Sequence, residues 1–238
     1  QFPVIIDNMM NLELLFWATK ETGDNKYRDV AIKHANTTLK NHVRDDYSTF
    51  HVVDYDEETG EVKDQATCQG FTDNSTWARG QAWAIYGFTL MYRETQDTTY
   101  LHAAQKLADY FLDHANLPED MVPYWDFHAG VEGYVPEWDY NPAQFPVVPR
   151  DASAAAITSS ALFELQGYLT DGKKYRDAAI KMLHSLASPA YRAPLGQNAN
   201  FIIMHCVGSI PHKNEIDVPL VYADYYFLEA MKRYKNLK

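Results

Sequence analysis

Three stretches decide the fold of this 238-residue chain. The first is Trp17-Ala-Thr-Lys-Glu-Thr22-Gly-Asp-Asn-Lys-Tyr27-Arg-Asp-Val-Ala-Ile-Lys-His-Ala35. The second is Met91-Tyr-Arg-Glu-Thr95-Gln-Asp-Thr-Thr-Tyr100-Leu-His-Ala-Ala-Gln-Lys-Leu-Ala108. The third is Gly167-Tyr-Leu-Thr170-Asp-Gly-Lys-Lys-Tyr175-Arg-Asp-Ala-Ala-Ile-Lys-Met-Leu183. Thr22, Thr95 and Thr170 stand at one fixed distance before Tyr27, Tyr100 and Tyr175. Each copy reads as a helix end, a short polar turn containing Gly or Asp, and a new helix. That is a helical hairpin, repeated.

Working outward, the helices are of two kinds. Segments 26–42, 99–115 and 173–187 mix apolar with charged residues at helical spacing, so each has one wet face. Segments 8–20, 76–94, 152–168 and 217–234 are apolar nearly all round, through residues such as Leu12, Leu14, Leu15, Phe16 and Trp17 in the first and Trp83, Ile85, Tyr86 and Phe88 in the second. Helices of that kind are buried on most sides. Alternation of buried and wet helices predicts an all-α fold in which an inner ring is wrapped by an outer one. If every hairpin runs from inner to outer, the inner helices are parallel and their N-termini gather at one mouth. Asp7, Thr76-Trp77-Ala-Arg79, Asp151 and Asp217 mark those starts, and helix N-termini favour anionic ligands. The long connections 43–75 and 116–150 end at the same mouth, with short strands expected at His51-Val-Val-Asp54-Tyr and Glu61-Val-Lys around a turn at Thr59-Gly60. Three hairpins plus one unpartnered inner helix leave the ring open. Together with the apolar opening Phe2-Pro-Val-Ile-Ile, this predicts one toroidal domain over 1–238 whose N-terminal helices are missing.

Composition narrows the function. Hydrophobic residues are 46% and charged residues 22%, which excludes disordered and collagen-like chains. A net charge of −11 argues against a duplex nucleic-acid binder and against an anionic membrane surface. No apolar run reaches the ~18 residues of a membrane span. Seventeen Tyr and five Trp offer apolar faces with polar tips, suited to sugar rings, to core packing or to both. Cys68 and Cys206 are too few for a disulfide framework. The chain opens at Gln1 with no leader pattern; a removed leader or a longer parent protein would each give that start. Oligomeric state is not legible.

Asp7, in Ile5-Ile6-Asp7-Asn8-Met9-Met10-Asn11, is either a helix cap or a buried acid. Burial would raise its pKa and a helix N-terminus would lower it. The densest cluster is Gln69-Gly70 with Ser75-Thr-Trp77-Ala-Arg79-Gly80-Gln81-Ala-Trp83. Arg79 in the first turn of a buried helix needs an anion: an Asp of the fold, for example Asp73, or a ligand carboxylate. Gly80 would admit a sugar or another helix. Trp83 reads as core packing before stacking platform, and His51 as a satisfied surface histidine. Pro123-Tyr-Trp125-Asp126-Phe and Pro149-Arg150-Asp151-Ala-Ser153 are pocket rim or turn and cap. No histidine spacing supports a metal, and no phosphate loop or serine elbow supports a nucleotide or serine enzyme. No cofactor is expected.

These strings, with Cys68-Gln69-Gly70 and Asp217-Val-Pro-Leu-Val-Tyr-Ala-Asp224-Tyr-Tyr-Phe-Leu-Glu229-Ala, resemble the unsaturated glucuronyl hydrolases of glycoside hydrolase family 88, from end to end of the chain. The resemblance implies an (α/α)6 barrel. It also implies a hydrolase that removes a 4,5-unsaturated uronic acid from the non-reducing end of lyase-generated oligosaccharides by hydrating the C4=C5 double bond. Asp7 matches the acid/base position; His51, Gln69, Trp77, Arg79 and Trp83 match pocket positions, with Arg79 holding the uronate carboxylate or nearby hydroxyls. Glycosaminoglycan disaccharides are the favoured substrates. Rhamnogalacturonan or ulvan products, or a non-catalytic sugar-binding helical domain, are the alternatives. The family's second essential Asp and several helices lie upstream of anything present here, so the isolated chain is expected to be inactive. The resemblance is to bacterial enzymes and leaves cytoplasm or periplasm open.

Overall fold

The computed structural model describes residues 1–237. The repeats close their hairpins by shared chemistry. At the end of α1 (Asn8–Thr22), Thr22 Oγ1 donates to the Ala18 carbonyl and accepts from the Asp24 N–H. Gly23 turns the chain with φ 72°, the left-handed conformation that costs glycine least. Asp24 then accepts from the Lys26 N–H at the start of α2 (Lys26–Asn41). In the second copy, Thr95 at the end of α3 (Ala78–Thr95) donates to Met91 and accepts from Asp97. Asp97 caps α4 (Thr98–Asp113) through the Thr99 N–H. The third copy joins α5 (Ala152–Leu165) to α6 (Lys173–Ala187) through a 3-10 turn at Gln166–Tyr168. The second and third of the repeated tyrosines tie outer helix to outer helix. Tyr100 donates to Asn36 of α2 at 2.7 Å, and Tyr175 to Asp109 of α4 at 2.8 Å.

The inner helices α1, α3, α5 and α7 (Val221–Asn236) stand side by side in that order, and α2, α4 and α6 back the first three. The architecture is that of an (α/α) barrel. Every residue from Ala152 to Phe163 is buried; small Ala and Ser side chains let α3, α6 and α7 close on α5 from three sides. The C-terminal halves of the inner helices are pinned by charge. Arg93 of α3 and Arg233 of α7 reach Glu164 of α5, and Lys20 of α1 reaches Glu94 of α3. The inner helices are therefore parallel, as the repeat requires.

Three findings depart from the sequence reading. The apolar opening is a strand: β1 (Phe2–Ile5) pairs antiparallel with β2 (Val52–Tyr55), which pairs with β3 (Val62–Ala66). Segment 217–220 is not helical. Asp217 lies in β5 (Asn214–Val218), paired with β4 (Cys206–Ser209), and α7 begins only at Val221. Pro219 explains the delay, since it disfavours helical backbone in the residue before it. Asp217 faces His205 Nδ1 at 2.6 Å and is not one of the helix starts. Lastly, α1 is not buried all round: Leu14 and Trp17 are more than half exposed. Both cysteines are free.

Candidate active site

Sheet register places the first two residues of the site. Ile5 pairs with Val52, and the Ile6 N–H donates to the His51 carbonyl at 3.0 Å. Asp7, one residue beyond the strand, is thereby set beside His51. Asp7 does not cap α1: its backbone is helical and its side chain makes no cap hydrogen bond. Instead Oδ2 lies 3.7 Å from His51 Nε2, beyond hydrogen-bond reach. Neither atom has a hydrogen-bond partner among the described residues.

Burial dominates the electrostatics of both groups. Desolvation pushes the Asp7 carboxyl up to about 6, against the opposing pull of Arg79 and of the Trp83 indole. Its side chain is still 23% exposed, so solvent reaches it. His51 is buried, and desolvation with the nearby Arg79 charge pushes it down to about 3. It is neutral at ordinary pH, so the pair is not an ion pair. His51 Nδ1 accepts from the backbone N–H groups of Cys68 and Gln69, at 3.1 and 3.2 Å. An Nδ1 that accepts twice cannot carry the proton, so the neutral ring holds it on Nε2, facing Asp7. The surface-histidine reading of His51 is thus replaced: it is a buried hub that ties the exit of β3 to Asp7.

The α3 N-terminus supplies the rest. Trp77 packs its ring on His51, with centroids 4.4 Å apart, and on Arg79, whose guanidinium carbon lies 4.3 Å from the ring. Gly80 is the close-approach residue: a Cβ there would lie 2.8 Å from the Trp77 ring and 3.2 Å from Ile6. The approaching groups are Trp77 and Ile6, not a sugar. Arg79 is buried, and its anion is Asp151 at 2.7 Å, not Asp73. Nη1 also donates to the Val207 carbonyl, and Nη2 donates to the Gly208 carbonyl at 2.8 Å. Three of the five guanidinium N–H bonds are thus used inside the protein, two on Nη1 and one on Nη2. Gln69 Nε2 donates to the same Gly208 carbonyl at 3.0 Å. Trp83, one turn deeper, is buried against Tyr226 and Tyr222.

A 232-residue stretch, residues 6–237, matches the model of Glycosyl Hydrolase Family 88. The chain belongs to that family. A relative named unsaturated glucuronyl hydrolase, from Formosa agariphila, is 54% identical over 99% of this chain and 56% of its own length. The crystal structure of an unsaturated glucuronyl hydrolase specific for heparin superposes with TM-score 0.91 at 46% identity, covering 100% of this chain and 60% of that one. An unsaturated glucuronyl hydrolase mutant from Streptococcus agalactiae, crystallised with dGlcA-GalNAc6S, gives TM-score 0.80 at 38% identity, covering 97% of this chain and 58% of that one. The chain therefore spans little more than half the length of these family 88 relatives.

Asp7, His51, Gln69, Trp77, Arg79 and Trp83, scattered over the first third of the sequence, meet at one end of the inner helices. Three participants escaped sequence reasoning. Tyr222, in the first turn of α7, has its ring 5.5 Å from the Arg79 guanidinium. Ser209 and His212 bond each other at 2.7 Å in the β4–β5 turn, and His212 Nε2 lies 3.9 Å from Cys68 Sγ. Only a Ser-x-x-His spacing pointed to them, and without a predicted hairpin it carried no signal. Asp126, read as rim or turn, is a buried brace that accepts from Phe71 N–H, Ser75 Oγ and His128 N–H behind the Gln69 loop.

Proposed function

We propose that this chain forms the acid-bearing part of a family 88 barrel that removes a 4,5-unsaturated uronic acid from lyase-generated oligosaccharides, glycosaminoglycan disaccharides foremost. One observation carries the reading: Asp7 is an uncapping, partly exposed carboxyl, pushed up to about 6, whose Oδ2 has no hydrogen-bond partner among the described residues and faces a neutral histidine. A carboxyl held near neutrality can give a proton and take one back. Asp7 donates its proton to C4 as the C4=C5 electron pair forms the new C–H bond. Positive charge then develops at C5, shared with the ring oxygen. The Asp7 carboxylate takes a proton from water while the water oxygen bonds to C5. The hemiketal opens, the bond to the departing sugar breaks, and one water has been consumed. A single carboxyl serves both steps, so the paired spacing of ordinary glycosidases is not required.

His51 donates Nε2–H toward the carboxylate or the attacking water. Arg79, its Nη atoms engaged by Asp151 and two carbonyls, acts by holding the mouth in shape and by its field. The names of the relatives, which refer to heparin and to chondroitin disaccharides, support the glycosaminoglycan class.

The inner ring has an open edge. Met10, Leu14 and Trp17 of α1 face Tyr222, Tyr225 and Tyr226 of α7 across an apolar cleft of about 700 Å³. We propose that further helices, present in the longer relatives, close this edge and complete the pocket. The isolated chain is then expected to leave the absorbance of an unsaturated disaccharide unchanged. A chimera joining it to the N-terminal portion of the Formosa agariphila relative should consume that absorbance. Asp7→Asn in the chimera should lower turnover by about 10²–10⁴-fold with binding retained. A folded chimera that leaves the double bond intact, or an Asp7→Asn chimera as fast as its parent, overturns the reading.

A further inference from the structure

Asp151 is fully buried, and three elements converge on its carboxylate. Oδ2 accepts from Arg79 of α3 at 2.7 Å. Oδ1 accepts from the Ser153 N–H at 3.1 Å and the Ser153 hydroxyl at 2.5 Å, which caps α5. Oδ1 also receives the Val207 N–H of β4 at 3.4 Å. Arg79 carries the connection on to the Gly208 carbonyl, which Gln69 Nε2 also uses, and the Gln69 N–H ends it on His51 Nδ1. One continuous path thus runs from Asp151 to the histidine that faces Asp7.

A neutral Asn or Ser would cap α5 about as well. What only a carboxylate supplies here is a negative charge against Arg79. A buried guanidinium cannot shed its proton, so without Asp151 its charge would stand unopposed at the mouth. A cation near a carboxyl favours the ionised form. The groups facing Asp7 are His51 from the β2 side and Arg79 and Trp83 from α3. His51 is neutral by burial. Around Arg79 and Asp151 stand Tyr222 and Cys206, both pushed up by burial and so uncharged at neutral pH. Asp151 is the group placed to balance Arg79.

We infer that Asp151 is a positioning residue of this site: it offsets part of the Arg79 charge that would otherwise pull Asp7 further toward its ionised form, and it anchors the β4–β5 hairpin over Gln69. The inference rests on the reading of Asp7 as the proton donor.

The test follows the Asp7 carboxyl carbon by NMR pH titration in the full 238-residue chain, with the signal assigned by its loss in Asp7→Asn. Asp151→Asn should lower the Asp7 midpoint by about one pH unit or more. Asp151→Glu, which keeps the charge, should recover at least half of that shift. The double variant Arg79→Gln with Asp151→Asn should return to within about half a unit of the parent, because the pull of Arg79 and the charge that opposes it are then removed together. An unchanged or raised midpoint in folded Asp151→Asn overturns the inference. If that variant does not fold, the double variant decides: a midpoint near the parent's supports it, and a rise of about one unit or more, the mark of an unbalanced Arg79, overturns it. The readout is a proton on Asp7 and not turnover, so its failure leaves the hydrolase reading standing, and an inactive chimera leaves the titration result intact.

Discussion

Helices α1 and α3 share a position in the repeat and an apolar composition, yet differ in burial. In α3 every residue from Ala78 to Met91 is buried. In α1 only Met9, Leu12 and Phe16 are, while Leu14 and Trp17 face outward. The difference is neighbours. α3 has α1 on one flank, α5 on the other and α4 behind, whereas α1 has α3 and α2. α7, at the other end of the arc, likewise exposes Val221, Tyr225, Leu228 and Met231. Whether an apolar inner helix is buried on a given flank depends on which element stands there, a property of the assembly and not of the helix.

That contrast can be broken or sharpened by measurement. Phe88→Ala, in the enclosed helix, should cost about 3–5 kcal/mol, while Trp17→Ala on the open flank should stay within about 0.5 kcal/mol. Guanidinium unfolding midpoints decide, and equal losses would erase the distinction between the flanks.

The mouth of the open flank carries the next effect. Folded Asp7 sits near 6 against an ordinary value of 3.8, so between those pH values the folded state binds more protons than the unfolded one. Stability contributed by this group is lost as pH rises through that window. Folded His51 sits near 3 against 6.5, with the opposite sign: its contribution grows as pH rises. Asp7→Asn removes the first effect and leaves the second. Its stability relative to the parent should therefore improve by about 2 kcal/mol between pH 4 and pH 7.5, read as a difference in Tm at the two pH values.

The seam between the two helices comes third. A Cβ on Gly87 would collide with Met9, so Gly87→Ala should cost about 1–3 kcal/mol and drive α1 away from α3. Hydrogen exchange confined to α1 would report the separation. The smallest effect lies in the outer ring. Tyr175→Phe removes the bond to Asp109 and should cost about 1 kcal/mol, whereas Tyr27→Phe, half-buried beneath Lys26, should cost only a few tenths.

Much of the fold was legible because the repeat carries its own turn chemistry. Thr22 and Thr95 both close a helix and start the next turn, so period and hairpin could be read together. The β2–β3 hairpin was legible from Thr59-Gly60, and Gly60 does take φ 72°. β1 and β4–β5 were not. Phe2–Ile5 is too short to distinguish a strand from a buried helix start, and Asp217-Val-Pro had to be read against an adjoining helical pattern. In the site, residue types were legible and partners were not. Asp73 and Asp151 were equally available to Arg79 on paper; only the fold brings Asp151 within 2.7 Å.

Local chemistry in the sequence thus determined most of the helices, their turns, the inner and outer kinds and the choice of Asp7 as a candidate, because spacing and side-chain type act over a few residues. Only the tertiary structure decided that Asp7 leaves its cap unmade, that His51 is buried and neutral, that Arg79 is balanced by Asp151 and that one flank of α1 stands open. Those outcomes depend on desolvation and on contacts between segments far apart in the chain, which no local pattern encodes.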